Sequence, residues 1–391
     1  MNSSYTEYCE RLGINPPESF FGFYEKGAEL YKKIGKALVD ADMLHSLQNR
    51  FGMFGKWFED VLTAAKQISE DEDLLLFVCI FSCILEERHE LFSMTLPDRD
   101  CAATDHLPLF SFLRFADEMA ENLEKRKLPE DVIRSTMSCF GDEMNDYHGL
   151  FGRSGVRIYS SWFMHFLNGD IIRIGRLNFE MSKFSQHMRV YDCGGELKVL
   201  ADGEYMHKSG MVWGSAGQTD EEGKYFAEIT EENGAVSGYA ANEYGEIEPH
   251  RITLEGAREV LRRGDKILSV HIPAEDPLTV ELCEEAYKRA REIFASCYPE
   301  FGFKAFCCFS WMLEKRLRLI TGKESNITRF ADKYTGFPLL SGDACFSFLF
   351  HVYDDKPELK NLPETTSMQR AVKKYLCEGG HFYAKGGVFL P

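Results

Sequence analysis

Basic residues are scarce in this chain relative to acidic ones. Its 391 residues include 45 Lys and Arg against 62 Asp and Glu, which gives a net charge of −17. Sequence-independent binding of nucleic acid and adhesion to an anionic membrane both require a basic face. The charge balance therefore argues against nucleic acid and membrane as partners.

The acidity is concentrated in one segment. Between Gln218 and Glu248, nine acidic residues stand against Lys224 as the single base. Such a run usually forms a solvated face, and the alternative is a recognition surface for a cationic protein partner.

Targeting segments and long apolar runs are also lacking. The start, MNSSYTEYCERLG, has no basic residues followed by an apolar run, so we expect no secretory signal. The most apolar stretch, Leu74–Leu85, is too short to span a bilayer and predicts a buried helix. The 12 cysteines include no CxxC pair, so we expect reduced thiols in a cytoplasmic protein and no metal site.

What is present is enough for two domains of different class. Hydrophobic residues make up 44% of the chain and aromatic residues 13%, which excludes global disorder. Up to residue 166, apolar residues recur at helical spacing, and this predicts an all-helical bundle. Long helices are expected around 53–67, 71–93, 108–127 and 129–150.

Strand patterns begin near residue 168, so residues 167–391 form the second predicted domain. Asp170–Met181 reads as one strand, with Arg176, Asn178 and Glu180 on its polar face. The glycine-rich and polar segment at about 203–253 predicts an acidic insertion of hairpins.

A strand–helix–strand unit organises the rest of the second domain. Asp265–Ile272 predicts a strand, and an amphipathic helix follows with Asp276 as N-cap and Pro277 as its first residue. The next predicted strand is Phe303–Trp311, and this order normally implies a parallel pair with a right-handed crossover.

The remaining pattern completes an α+β domain with a mixed sheet. Short helices are expected near Leu313–Ile320 and Ser325–Tyr334, and a longer one near Thr366–Cys377. The alternating aromatics of Cys345–Tyr353 predict a strand, and the final strand is expected near His381–Leu390.

Several segments carry a resemblance to a known family. In the second half they are GRLNFE, GDKILSVHIPAEDPLT, FCCFSWML and SNITRFADKY, and in the first half LPLFSFLRFADEM and KLPEDVIRSTMSCFGDEMNDYHGLFGRSG. With these segments the chain resembles a bacterial family of acyltransferase-domain proteins. That family joins a helical N-acyltransferase N-terminal domain to a GNAT-like C-terminal domain.

The resemblance implies transfer of an acyl group from coenzyme A to an amine or other small nucleophile, by direct attack. Acyl-CoA would be the co-substrate. By position in the fold, the CoA-binding residues would be Ile272, Leu278, Thr279, Ser310, Arg316 and Arg318. Arg316 and Arg318 alternatively belong to a solvated basic helix face.

The loop that should hold the CoA pyrophosphate departs from the GNAT pattern Q/R-x-x-G-x-G/A. It contains no glycine, Pro277 lacks an N–H, and Glu275 and Asp276 bring carboxylates to the place of the phosphates.

Catalytic roles follow from the same resemblance. Tyr334, in a shortened version of the GNAT pattern A-x-x-x-Y-x-x-x-G-F, would protonate the departing thiolate. Glu180 and His271 are candidates for the base that deprotonates the nucleophile, or for groups that orient it. Arg176, Asn178 and His351 are the predicted substrate contacts. Each of these residues also has a purely structural interpretation, such as a histidine that bonds the following loop.

Three functions remain open from the sequence. The first is a CoA-dependent N-acyltransferase. The second is a catalytically degenerate GNAT-like module that binds a ligand or a protein, as the missing glycines allow. The third, a carbohydrate-active enzyme with paired carboxylates, has only the abundance of acidic residues in its favour.

Overall fold

The computed structural model describes residues 3–15, 18–87, 96–97, 102–157, 161–215, 217–273, 277–343, 345–352 and 357–391. The chain divides into two compact units. One comprises Met1–Gly175 with Pro273–Glu275, and the other comprises Arg176–Ile272 with Asp276–Pro391.

The first unit is helical. Its helices are α1 Ser3–Leu12, α2 Glu18–Ile34, α3 Ala41–Phe51, α4 Phe58–Glu70, α5 Glu72–Glu86, α6 Leu107–Leu113, α7 Ala116–Lys125, α8 Glu130–Met137, α9 Cys139–Phe151 and α10 Ser161–Leu167. The helices predicted at 108–127 and 129–150 are each divided in two. Arg114 and Ser138 lie at these breaks.

The core of this unit is built around α5. Asp71 caps the helix by accepting hydrogen bonds from the N–H groups of Asp73 and Leu74. Leu74–Leu85 is apolar around most of the helix. All of these residues except Leu76 are buried, and Phe77 is fully buried. This arrangement confirms the predicted buried helix.

A short strand, β1 Ile171–Ile174, ends the first unit and is fixed to α8. The N–H of Arg173 donates to Oγ1 of Thr136, and the hydroxyl of Ser135 donates to the carbonyl of Arg173, both at 3.0 Å.

The second unit contains the remaining strands. They are β2 Leu177–Lys183, β3 Met188–Asp192, β4 Leu197–Ala201, β5 Glu204–His207, β6 Lys224–Ala227, β7 Thr230–Glu232, β8 Ala235–Ala241, β9 Ile247–Glu255, β10 Arg258–Leu261, β11 Lys266–His271, β12 Ala305–Ser310, β13 Thr335–Asp343 and β14 Tyr383–Phe389. Its helices are α11 Val280–Cys297, α12 Arg318–Thr321, α13 Asn326–Asp332, α14 Cys345–Leu349 and α15 Ser367–Cys377.

The main sheet of this unit has the strand order β2-β11-β12-β14-β13. β11 and β12 run parallel and are connected by α11, while the other pairs are antiparallel. This confirms the predicted strand–helix–strand unit and the mixed sheet.

A second sheet covers part of the main one. Its order is β10-β3-β4-β8-β7, with β9 paired to β8, and β5 and β6 form a separate ribbon. Ile267 and Cys307 of the main sheet share a buried core with Val190, Val199 and Ile247 of the inserted sheet. Because β3 begins at Met188 and β10 ends at Leu261, the inserted sheet begins before, and ends after, the predicted 203–253 segment.

Three local predictions are wrong. Asp170–Met181 is not one strand, because Gly175, with a φ of 57°, turns the chain between β1 and β2. The cap of α11 is Thr279, whose side chain accepts from the N–H of Leu282, and Pro277 precedes the helix. Asp276, the predicted cap, lies outside the described residues.

The third error concerns Cys345–Tyr353, which contains the short helix α14 in place of the predicted strand. Phe346 and Phe350 are buried, whereas Phe348 is 72% exposed. The four-residue spacing of the two buried side chains is typical of a helix. In the sequence, the alternation of Phe with other residues suggested a strand instead. The sequence also missed β13, which contains Gly336 and Pro338 and lies at the edge of the sheet, where proline is tolerated.

Candidate active site

Glu180 and His271 are in direct contact at one end of the main sheet. His271 Nε2 lies 2.8 Å from Oε2 of Glu180, although the two residues are 91 positions apart in sequence. Their side chains are partly exposed, 32% for His271 and 17% for Glu180. The structure thus joins the two predicted candidates for the base into one pair.

Strand register explains the contact. β2 and β11 are antiparallel, with Asn178 opposite His271 and Glu180 opposite Ser269. Because alternate residues of a strand share a face, these four side chains lie on the same face of the sheet. His271 reaches Glu180 diagonally, across the distance that a long side chain spans between neighbouring strands.

This hydrogen bond assigns roles to the two imidazole nitrogens. When Glu180 is ionised it can only accept, so Nε2 carries the proton and donates it. The basic lone pair then belongs to Nδ1. A carboxylate on the far nitrogen orients the ring and stabilises the imidazolium that forms when Nδ1 takes up a proton.

Two further predicted residues, Arg176 just before β2 and Asn178 within it, shortly precede Glu180 in the chain. Asn178 is buried, at 7% exposure, and Arg176 is also buried. Nε of Arg176 donates to the carbonyl of Pro277 at 3.2 Å, which ties the start of β2 to the segment that leads into α11.

The parallel ladder between β11 and β12 ends just before His271. Its pairs run from Ile267–Ala305 to Val270–Cys308. The predicted CoA-binding residues Ile272, Leu278 and Thr279 follow this end of β11, and all three are partly exposed. Ser310, at the end of β12, accepts a hydrogen bond from the N–H of Met312 at 3.2 Å.

The two predicted basic CoA contacts are already engaged with other groups. Arg316 forms ion pairs with Glu246 at 2.6 Å and with Glu314 at 3.4 Å. Arg318 donates to the carbonyl of Lys315, and its guanidinium lies 5.5 Å from the ring centroid of Tyr244. These contacts do not resemble the solvated helix face that was the alternative prediction.

Tyr334 lies in the core. It is 2% exposed, and its hydroxyl is 2.7 Å from the hydroxyl of Tyr287 on α11. Burial, followed by the nearby phenol of Tyr287, raises the pKa of Tyr334 well above 10. This environment does not suit a group that donates a proton to a departing thiolate.

His351 follows α14 in an exposed position, with a φ of 56°. It is not on a strand of the main sheet, contrary to the prediction. The geometry gives it no place beside Glu180 and His271.

One buried group was missed by the sequence. Lys385 on β14 and Glu314 are both fully buried, with Nζ 3.9 Å from Oε2. Burial lowers the pKa of Lys385 and raises that of Glu314. Lys385 sits between glycines and alanine in a terminal strand, and nothing in that pattern signals a buried cation.

Two family models divide the chain between them. The GNAT-like C-terminal domain matches residues 171–389, more than half of the chain. The chain belongs to this GNAT-like family. The N-acyltransferase N-terminal domain matches residues 42–169, in the helical part of the protein. Both matches agree with the resemblance seen in the sequence, while no curated protein matches this GNAT-like chain.

Solved structures share the fold of this GNAT-like protein. A mutant acyltransferase in complex with octanoyl-CoA has a TM-score of 0.58 and 19% identity, over 90% of this chain and 88% of that chain. An acyltransferase in complex with decanoyl-CoA and teicoplanin has a TM-score of 0.57 and 20% identity, over 89% and 87%. An acyltransferase with decanoyl-CoA gives 0.58 and 18%, over 90% and 89%. This likeness confirms the predicted fold class.

None of the described helices combines the length and the apolarity needed to cross a bilayer. Among the residues that the structure describes, no group of three His, Cys, Asp or Glu side chains is arranged to hold a metal ion.

Proposed function

We propose that this protein is a CoA-dependent acyltransferase that acts on an amine or other small nucleophile. The observation that carries the proposal is the hydrogen-bonded pair of His271 and Glu180 at the end of β11. In open α/β sheets this end of a strand, beside a crossover helix, is a usual place for ligands. The chain's family gives the pair its chemistry.

The structural neighbours support the choice of substrates. They were solved with octanoyl-CoA or decanoyl-CoA, and one also with teicoplanin. We therefore propose a medium-chain acyl-CoA as donor and a small molecule as acceptor. The same comparison favours an enzyme over the degenerate binding module.

In the proposed reaction, Nδ1 of His271 takes the proton of the nucleophile while that atom attacks the thioester carbonyl. The bond between carbon and sulfur then breaks, and CoA leaves with the electron pair as a thiolate. Glu180 stabilises the imidazolium until the proton returns to solvent or to the thiolate. A thiol has a pKa of about 8.5, so the thiolate can leave without a tyrosine as acid.

Binding of CoA would use the N-terminal end of α11. The N-terminus of α11 presents N–H groups and a partial positive charge, and Thr279 caps it. Arg176 adds a guanidinium at Pro277. Glycines are missing here, so an arginine and a helix end would take over the role of the glycine-rich loop. Glu275 and Asp276, whose carboxylates the sequence predicts at the place of the CoA phosphates, lie outside the described residues.

Isothermal titration with acetyl-, octanoyl- and decanoyl-CoA tests the proposal. We expect saturable binding that tightens with chain length, together with CoA release when a primary amine is added. Absence of binding across the three thioesters would rule out the acyltransferase. Binding without CoA release on any acceptor would instead favour the binding module.

Two further assignments stay proposals. The described cysteines are free thiols, which supports a reducing compartment such as the cytoplasm. A protein partner at the acidic insertion is tested by pull-down with the wild-type chain and with a variant in which Glu228, Glu232 and Glu248 are changed to Gln. Equal capture by both proteins would remove this partner.

A further inference from the structure

Asn178 is a buried polar residue whose carbonyl oxygen is unused. The side chain is 7% exposed, and its Oδ1 has no hydrogen-bond partner in the part of the chain that the structure describes. Buried side-chain oxygens are nearly always paired, so an orphan in a folded protein calls for an explanation. A ligand that supplies the missing N–H is one.

The place of Asn178 indicates which ligand. Asn178 is the direct cross-strand partner of His271, on the face that also carries Glu180. Directly opposed residues have Cβ atoms about 4.5–5.5 Å apart. The amide therefore adjoins the imidazole that, in the proposed function, takes the proton of the nucleophile.

We infer that Asn178 is a specificity-determining residue, whose Oδ1 accepts a hydrogen bond from the nucleophilic nitrogen of the acceptor. This inference rests on the proposed function. A neutral primary amine has two N–H groups. One proton passes to His271 as the nitrogen–carbon bond forms and the carbon–sulfur bond breaks, and the other N–H remains to pair with Asn178.

A hydroxyl nucleophile cannot satisfy both residues. Its single O–H must face His271, so Oδ1 of Asn178 stays buried and unpaired when an alcohol is bound. A site with a buried polar group rejects ligands that leave that group unpaired. The geometry thus selects amines over alcohols of the same shape, which means formation of an amide over formation of an ester.

The choice of an amide side chain also fits the neighbours of Asn178. An acidic side chain at this position would place a second carboxylate on the face that holds Glu180, and the two charges would compete for the proton on His271. Asn offers an acceptor oxygen without a charge.

The test compares wild type with Asn178→Leu, which keeps the size of the side chain and removes the oxygen. Transfer from octanoyl-CoA is measured with matched pairs of acceptors, such as tyramine with tyrosol and hexylamine with hexanol. We expect wild type to prefer the amine, and Asn178→Leu to lose on the order of 10–100-fold in kcat/KM for amines with little change for alcohols.

Ser269→Ala is the matched control, because Ser269 is another buried polar residue on the same face, opposite Glu180. We expect it to leave the ratio of amine to alcohol transfer unchanged. Binding of octanoyl-CoA and the Tm should be unchanged in Asn178→Leu, since no protein hydrogen bond of Oδ1 is lost.

Failure of the role of Asn178 and failure of the proposed function give different results in this experiment. Transfer without an amine preference, an equal loss for amines and alcohols, or an unfolded Asn178→Leu overturns the role of Asn178 alone. Failure of wild type to bind acyl-CoA or to acylate any acceptor overturns the proposed function, and the inference with it.

Discussion

At the scale of single residues, the site depends on one contact that the sequence could not show. The resemblance makes Glu180 and His271 separate candidates for the base, and it does not predict that they form a pair. Their hydrogen bond depends on the register between β2 and β11, which is set by packing along both strands. A shift of one residue would turn one of the two side chains to the opposite face.

Substitution of His271 and substitution of Glu180 should lower kcat to different extents. His271→Asn removes the base, and we expect kcat to fall by about 10²–10⁴-fold. Glu180→Gln keeps an oxygen that accepts from Nε2, so only the stabilisation of the imidazolium is lost and a smaller fall is expected. Steady-state assays of CoA release measure both variants.

The control for this pair is the affinity for acyl-CoA. Since neither side chain is assigned to CoA, titration should give the wild-type Kd for both variants. A His271→Asn enzyme with unchanged kcat would exclude the proposed base.

Tyr334→Phe separates the chemical role that the resemblance implies from the buried position that is observed. The hydroxyl pairs with Tyr287 in the core, so we expect an unchanged kcat and a loss of about 1 kcal/mol in unfolding free energy. Urea denaturation and CoA-release assays measure the two quantities.

Tyr287→Phe is the matched variant, because it removes the other hydroxyl of the same contact. The two single variants should lose similar stability and retain activity. A selective fall of kcat in Tyr334→Phe would restore this tyrosine as the general acid.

At the scale of secondary structure elements, the periodicity of apolar residues predicted those helices and strands that are determined by packing of an apolar face. The amphipathic helix α11 and the parallel strands on either side of it were predicted, because the helix has a single apolar face, on which Tyr287 contacts Phe179 and Phe306, and the strands are apolar on both faces. Helix α14 and strand β13 were not. Their short segments contain Phe, Gly and Pro in patterns compatible with either state, and contacts distant in sequence determine the outcome.

The N-cap of α11 links element stability to ligand binding. Thr279→Ala removes the hydrogen bond to the N–H of Leu282, and we expect a loss of about 1 kcal/mol in unfolding free energy. Because the uncapped end would also present the proposed CoA site less rigidly, Kd for octanoyl-CoA should rise as well.

Thr366→Ala provides the control, since Thr366 is the N-cap of α15 in a capping box with Gln369. It should cost similar stability and leave Kd unchanged. Equal effects of both variants on Kd would mean that α11 has no special role in binding.

At the scale of the whole molecule, the dense negative charge of Gln218–Glu248 is partly compensated by neighbouring basic residues and histidines in the fold. Five of the nine acidic residues of Gln218–Glu248 have cationic or histidine partners at short distance: Asp220 with His207, Glu221 with Lys224, Glu231 with Arg189, Glu246 with Arg316 and Glu248 with His250. The sequence showed the density of charge but not these partners, most of which lie outside the segment.

Glu246 belongs to a group of charges around the buried Lys385–Glu314 pair that fixes the turn after β8 to the main sheet. Nζ of Lys385 donates to the carbonyl of Gly245 at 3.3 Å and faces Glu314. Arg316 contacts both Glu314 and Glu246. Burial disfavours the charged forms of Lys385 and Glu314, so removal of one of these two charges leaves its partner uncompensated.

The two single variants of the Lys385–Glu314 pair should have opposite pH dependence. In Lys385→Met, the pKa of Glu314 rises further, so the folded protein holds a proton above pH 4.5 that the unfolded chain releases. Unfolding free energy then falls as pH rises. In Glu314→Gln, the pKa of Lys385 falls further below 10.5, the unfolded chain binds the extra proton, and stability increases with pH.

Urea denaturation at pH 5, 7 and 9 measures these slopes. Each single variant should lose about 3–5 kcal/mol at the pH where its remaining partner is charged, and the double variant Lys385→Met with Glu314→Gln should recover most of that loss. Parallel slopes in the two single variants would show that the groups do not compensate each other. Lys385 and Glu314 would then be two independent buried groups. In that case the turn after β8 would depend on the ion pair of Arg316 with Glu246 for its attachment to the main sheet.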